Sequence, residues 1–372
     1  MRTKAMDYVI PPQDRALFKR CRRAWDLGAR TRRNYEPTDD PRGIDVDRAV
    51  HDALAVYYFP GMWDWQPTIV LPLAREAFDR SIREQRKDSA PEREEDGLVE
   101  GARRLLESYF AWAPTVDRFA PIRVETDVDV QVPDPHAAGR DLVAPEGGAV
   151  RYRDRVDLLV IDEGGAYWAV DHRIVTGDWT DADQLLLDEG CLAWCWAWEL
   201  SYPGMRIAGT IYNELRLDAA PTDHPPGPAP ITARSPVSQH RRMYEPPTEA
   251  PHRPPGGPRL RQEATEAFRR TQIVRNDAEL EEFGTRVALE ALDMTDAELP
   301  LYPNPSPDNC ARCEYRPPCI AMNERTDPDA ILATSYRVRP PEPIEEGRLG
   351  GSTWSMGRGA APPRFNRDDR DR

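Results

Sequence analysis

Apolar positions in the first third of the chain recur every three or four residues. Ala16, Leu17, Ala24 and Leu27 predict a helix over residues 12–30, entered through Pro11-Pro12 and carrying Cys21. Val46, Val50, Leu54 and Tyr57 predict a second over 44–59, with His51 beside its apolar stripe. Two further helices are expected over about 69–86 and 92–112, after the Trp-rich turn 61–66. From Pro121 the period changes, and Ile122, Val124, Val128, Val130 and Val132 predict a strand or strand pair. A Pro/Gly-rich loop then leads to VRYRDRVDLLVIDEGGAYWAVDHR, residues 150–173. There Val156, Leu158, Val160 and Ile161 form an apolar run, Gly164-Gly165 reverse it, and Tyr167 to Val170 return, which predicts a β-hairpin.

Residues 181–200 predict a helix heavy in tryptophan (Trp194, Trp196, Trp198), and 206–215 alternate as another strand. Residues 218–258 are so rich in proline that they predict an unstructured insertion. Helices are expected again over about 262–270 and 278–294, and the Pro-, Gly- and Arg-rich tail beyond about 340 is expected to be disordered. Helices, then antiparallel strands, a helix and one more strand predict an α/β fold in a single domain, residues 12–335. Within it, 12–115 form a helical part, 121–217 the α/β core, 218–260 the insertion and 261–335 a helical, Cys-rich part; residues 340–372 form the tail.

At 372 residues the chain is long enough to bury a full core. No stretch has the apolar length of a membrane span, and the N-terminus lacks the apolar region and cleavage site of a signal peptide. A cytoplasmic protein without membrane contact is therefore expected. A net charge of −14 argues against a surface that coats nucleic acid. Residues 13–33 depart from that balance, with Arg15, Lys19, Arg20, Arg22, Arg23, Arg30, Arg32 and Arg33 against only Asp14 and Asp26. They form either a nucleic-acid face or a solvated helix face.

Two acids in the hairpin bear on chemistry. Asp157 lies inside the first apolar run, where a carboxylate is costly unless paired or holding a cation, and Asp171 closes the second. They form either a hard-cation site or strand-end residues facing water. Near the C-terminus, Cys310, Cys313 and Cys319 are spaced C-x-x-C-x5-C in a proline-rich loop with little apolar cover. A cysteine-poor chain in a reducing compartment uses such spacing for metal or cluster ligation, with Cys21 the natural fourth ligand. Four thiolates admit a [4Fe–4S] cluster or Zn²⁺. Cys191 and Cys195 fit the core of the apolar helix, and His136, His224, His240 and His252 read as surface residues of Pro-rich loops.

These features in this order (the cysteine in LFKRCRRAW, the histidine in GIDVDRAVHDAL, the strand pair with Asp157 and Asp171, the C-x-x-C-x5-C) resemble the RecB-like branch of the PD-(D/E)XK nucleases. Within it they are similar to the iron–sulfur members: AddB-type exonucleases, CRISPR-adaptation exonucleases and related proteins of phages and actinobacteria. The resemblance implies a restriction-endonuclease-like core and metal-assisted hydrolysis of DNA, single-stranded or at ends, in processing, recombination or repair. It implies Mg²⁺ or Mn²⁺ held by His51, Asp157 and Asp171, with the backbone carbonyl of His172 completing the shell. It also implies a structural [4Fe–4S] cluster on Cys21, Cys310, Cys313 and Cys319. Three positions depart from the family pattern. Arg173 stands where the family has lysine, and its permanently protonated guanidinium can bind phosphate or polarise water but not act as a base. Asp154 replaces a glycine. The family's Q-x-x-x-Y pattern falls either on Gln184, followed by Asp188, or on Gly190 and Trp194. The departures leave two readings: a nuclease with Gln184 and Arg173 assisting, or a nuclease-like fold that binds DNA or assembles without cutting. A zinc-stapled protein unrelated to nucleic acid is a third.

Overall fold

The computed structural model describes residues 6–38, 43–86, 93–218 and 260–340. Nearly all of the predicted insertion, the predicted tail beyond residue 340, and His224, His240 and His252 lie outside the described residues. In chain order, β1 (Tyr8–Ile10), α1 (Pro12–Arg20), α2 (Arg22–Gly28) and β2 (Tyr35–Pro37) precede three long helices, α3 (Val46–Tyr57), α4 (Pro67–Gln85) and α5 (Arg93–Val116). Strands β3 (Phe119–Gln131), β4 (Val150–Asp162) and β5 (Tyr167–Val175) lead to α6 (Ala182–Leu186), α7 (Glu189–Ser201) and β6 (Ile207–Arg216). The chain continues with β7 (Leu260–Ala264), β8 (Phe268–Val274), α8 (Asp277–Thr295), α9 (Pro307–Ala311), α10 (Arg316–Glu324), α11 (Pro328–Ser335) and β9 (Tyr336–Val338).

One mixed sheet orders these strands β1-β4-β5-β6-β8-β7, with β3 on the free side of β4, and helices cover both faces. The fold is a mixed α/β sandwich of the restriction-endonuclease-like kind. On one face α3, α4 and α5 pack Val50, Leu54, Phe78 and Tyr109 against Leu158, Val160 and Val170. On the other, α1, α2, α7 and α8 pack Phe18, Trp25, Trp196 and Phe283 against Val156, Leu159 and Ala169. Cys191 and Cys195 are buried in that second layer, as their helix predicts. The hairpin of residues 150–173 forms with its Gly-Gly turn, pairing Leu158 with Val170 and Ile161 with Tyr167.

Three expectations are corrected. The helix over 12–30 breaks at Cys21, whose extended backbone (φ −164°, ψ 114°) both ends α1 and starts α2. The helix over 181–200 breaks at Leu187, and Asp188 then caps α7 by accepting from the Cys191 N–H at 3.0 Å. Residues 262–270 belong to the β7–β8 hairpin rather than to a helix. RQEATEAFRR has a helical composition, but β8 lies against buried β6, and its Arg269 and Arg270 find the carboxylates of Glu214 and Asp117 there. Tertiary pairing outweighs the propensity of a short polar segment. Strand β1 carries no signal in three residues, and it adds in parallel to the start of β4.

The basic stretch 13–33 is largely committed to the chain's own acids. Arg15 pairs with Glu189 at 2.9 Å and with Glu290, Lys19 with Glu189, and Arg22 with Asp293 at 3.0 Å. Arg32 pairs with Asp26 at 2.8 Å and Arg33 with Asp329 at 3.2 Å, while Arg23 donates to the Asn323 side chain at 2.7 Å. These contacts tie the N-terminal helices to α7, α8, α10 and α11. Among the described residues no helix is long and apolar enough to cross a membrane.

Candidate metal centre

Strand register sets three acids side by side. Val124 pairs with Leu158 and Thr126 with Val156, so Glu125 stands opposite Asp157. Leu158 pairs with Val170, and one further step sets Asp157 against Asp171. Like charges directly opposite on neighbouring strands destabilise a sheet unless something compensates. Glu125 also sits at φ 43°, in the left-handed region that a side chain enters only at a cost. Strain and repulsion thus coincide at one point in the sheet.

Helix α3 places His51 above that row. Its Nδ1 lies 3.6 Å from Asp157 Oδ2 and 3.8 Å from Glu125 Oε1. Its Nε2 donates to the His172 carbonyl at 2.9 Å, an arrangement that turns Nδ1 toward the two carboxylates. The same residue reaches the acids through its other backbone group, because the His172 N–H donates to Asp157 Oδ2 at 3.0 Å. The carbonyl that the resemblance implies for the metal's shell is therefore engaged with His51. Asp47, one turn earlier on α3, accepts from the Ile174 N–H at 3.3 Å and fixes the helix against β5.

Among the described residues, His51, Glu125 and Asp157 are the one trio of histidine, cysteine or acidic side chains whose donor atoms all lie within 4.8 Å of one another. The electrostatics match a cation's position. Burial pulls the His51 imidazole down, but Asp157, Glu125 and Asp47 outweigh it and push it up to about 10. Burial raises Asp157 well above the carboxylate range, and Asp171 and Glu125 add to the rise. Without a cation, protons must offset the crowded negative charge. An imidazole and two carboxylates, mutually close and short of positive charge, fit a divalent ion.

Asp171 stands next to this trio with its carboxylate turned to Arg173 Nε. Arg173 bridges two acids, since its Nη2 meets Asp188, and its guanidinium lies 4.8 Å from the Tyr212 ring centre. Burial raises Asp171, with Arg173 opposing. Gln184, the expected helper after the hairpin, is exposed on α6. Asp188, four residues on, reaches the site in its stead, while Trp194 of the alternative register is buried on α7. Asp154 accepts from Tyr152 Oη at 3.0 Å and from the Arg155 N–H at 2.7 Å, and burial pushes it up to about 6.

The four cysteines of the predicted cluster meet in one neighbourhood. The break at Cys21 exposes its sulfur to the Asn304 N–H at 3.4 Å, and the Asn304 and Asn309 side chains bind the Arg20 carbonyl at 3.1 and 3.4 Å. Arg23 donates to Cys319 Sγ at 3.5 Å, and Cys313 lies in the field of Cys21 and Cys319. No three of these sulfurs fall within 4.8 Å of one another.

Glu125 is a site residue that the sequence did not yield, and Asp188 is reached there only as the position four after Gln184, with no role assigned. Glu125 reads as one of three acids, with Asp127 and Asp129, on the polar side of an alternating strand. Only register against β4 singles it out. Asp188 carries a local signal, an acid before a helix, but that signal reports a cap.

The family model described as PD-(D/E)XK nuclease superfamily matches residues 12–320 of the chain. No curated protein matches it.

Proposed function

Because the chain belongs to the PD-(D/E)XK nuclease superfamily, we propose that it hydrolyses phosphodiester bonds in DNA, single-stranded or at ends, in DNA processing, recombination or repair. The observation that carries this reading is the convergence of His51, Glu125 and Asp157 beside Asp171. A Mg²⁺ or Mn²⁺ ion held there supplies an acidified water and positive charge against the scissile phosphate. His51 would present Nδ1 while Nε2 stays on the His172 carbonyl, and Asp157, whose Oδ2 lies 3.6 Å from that Nδ1 and accepts from the His172 N–H, would present its carboxylate. Arg173 cannot take a proton from water, so its role is to bind and orient a phosphate oxygen. A phosphate does so in competition with Asp171 and Asp188, and the release of Asp171 adds a carboxylate to the centre.

End-labelled linear single- and double-stranded DNA, incubated with the protein and Mn²⁺, tests the reading. Degradation abolished by chelation and by Asp157→Ala is the expected result, and its absence with both substrates overturns catalysis. A second reading, a DNA-binding or assembly subunit without catalysis, is favoured by the Arg173 guanidinium locked between two carboxylates. Arg173→Lys separates the two. Increased cleavage identifies a working site weakened by arginine, whereas inactivity of both forms with retained DNA binding supports the second reading.

Cys21, Cys310, Cys313 and Cys319 would hold a structural [4Fe–4S] cluster that joins the N-terminal helices to the C-terminal loop. Their spread supports a cluster over one Zn²⁺, because a tetrahedral zinc with bonds of about 2.3 Å draws its sulfurs to about 3.8 Å from one another. Broad absorbance near ~400 nm with iron and sulfide bound supports this assignment. Colourless protein with stoichiometric zinc overturns it.

A further inference from the structure

Behind the acid row runs a second cross-strand row with no part in the chemistry above. Register aligns His172 of β5 with Asn213 of β6, and Asn213 with Arg270 of β8. All three are buried. The Asn213 amide can face only one way, because Arg270 Nε, a donor, meets its Oδ1 at 3.1 Å. Its Nδ2 therefore points to Tyr109 Oη at 3.0 Å and to His172 Nδ1 at 2.9 Å.

The rest of the chain fixes the remaining hydrogens. Arg270 pairs with Asp117 through Nη1 and donates through Nη2 to Tyr58 Oη and Tyr109 Oη, each at 3.0 Å. The two hydroxyls are 2.7 Å apart, and Tyr58 Oη reaches the Asp117 carboxylate at 3.3 Å. Tyr109 then donates to Tyr58 and Tyr58 to Asp117, so each contact has one donor and one acceptor. His172 Nδ1 is left only the acceptor role, which requires the imidazole with its hydrogen on Nε2. Its ring is held flat on Tyr58, at 5.7 Å and 15°.

We infer that Asn213, anchored by Arg270, is a positioning residue for the candidate metal centre, acting through the side chain of His172 on the backbone N–H and carbonyl of that residue, which orient Asp157 and His51. The inference rests on the metal-site reading above. An imidazole locked on both its edge and its face restrains the φ and ψ rotations of His172. The two peptides on either side of that residue supply the N–H on Asp157 and the carbonyl on His51. Partners one step behind metal ligands commonly set affinity by about 10- to 100-fold.

The test is direct Mn²⁺ binding to the full chain, by titration calorimetry or by the electron paramagnetic resonance of free Mn²⁺, in the wild type, Asn213→Asp and His172→Phe. Asn213→Asp keeps the shape but sets an acceptor against Nδ1. His172→Phe keeps the ring on Tyr58 and removes Nδ1. Both are expected to weaken Mn²⁺ binding by about 10-fold or more while circular dichroism and cooperative melting are retained. Wild-type affinity in either folded variant overturns the inference alone; no Mn²⁺ binding by the wild type overturns the metal centre and the inference with it. A measurement independent of variant folding is the ¹⁵N signature of His172 in the wild type. The Nε2–H tautomer is expected, and hydrogen on Nδ1 overturns the assignment.

Discussion

Glu125 shows how one residue can be costly to the fold and necessary to the site. Its left-handed backbone and its place opposite Asp157 both oppose folding, and the second is relieved if the pair shares a cation. Glu125→Gln is therefore expected to weaken Mn²⁺ binding by about 10-fold or more, through loss of a ligand charge. It is also expected to flatten the pH dependence of the metal-free melting temperature, since Glu125 is one of the carboxylates that raise His51. Calorimetry on one preparation checks both, and a variant that binds Mn²⁺ as the wild type does removes Glu125 from the centre. Arg270 is the opposite case, a buried cation with every partner in place. Arg270→Met strands Asp117 and deprives Tyr58, Tyr109 and Asn213 of a donor, so a loss of about 3–5 kcal/mol is expected. Urea unfolding with an unchanged slope and a lower midpoint measures it.

Between elements, the decisive contacts are those that close the ends of the chain on each other. Helix α2 presents Gly28 to Tyr315, which precedes α10, and a Cβ at residue 28 would meet Tyr315 Oη at 2.3 Å. Tyr315 lies between Cys313 and Cys319 and donates to the Tyr35 carbonyl at 2.8 Å. Gly28→Ala is expected to displace this tyrosine at about 1–3 kcal/mol, the usual cost of overpacking. If the four cysteines ligate a common group, the same substitution lowers its occupancy, which metal analysis of purified protein reads directly. The ion pairs of residues 13–33 have the same bridging function. They tie this basic stretch to α7, α8 and α11.

For the molecule as a whole, the crowded acids tie stability to pH and to divalent ions. His51 is raised from 6.5 to about 10 in the folded state, so the stability it contributes is complete below 6.5 and is lost as pH rises toward 10. The raised Asp157 carboxyl acts in the same direction, because it too holds its proton longer when folded. In chelator, the melting temperature is therefore expected to fall between pH 6 and 9. Divalent-ion binding requires those protons to leave, so it strengthens over the same range. The gap between melting curves with Mg²⁺ and with chelator should widen with pH, reaching about 2.7 kcal/mol at one hundred times the dissociation constant. A gap that narrows as pH rises contradicts the proposed ligands.

The sequence by itself determined the elements that hold a strong period over a long run: α3, α4, α5, α8 and the β4–β5 hairpin, and with them the places of His51, Asp157, Asp171 and Arg173. These are local signals, because side-chain spacing along one element follows from its own geometry. It also offered Cys21 as a candidate partner for the distant C-x-x-C-x5-C segment, and the fold places its sulfur on the Asn304 N–H and near Cys313. Only the tertiary structure decided the rest. Glu125 became distinct from Asp127 and Asp129 through its register against β4, and Asp188 rather than Gln184 reached Arg173 because α6 ends one residue short of it. Residues 262–270 became strands because β8 pairs with β6 and β7 pairs back on β8. The hairpin that organises the chain was legible as two strands with two acids. That these acids form part of a row of three, under a histidine and latched by an arginine, depends on pairings between residues far apart in sequence, which no local pattern encodes.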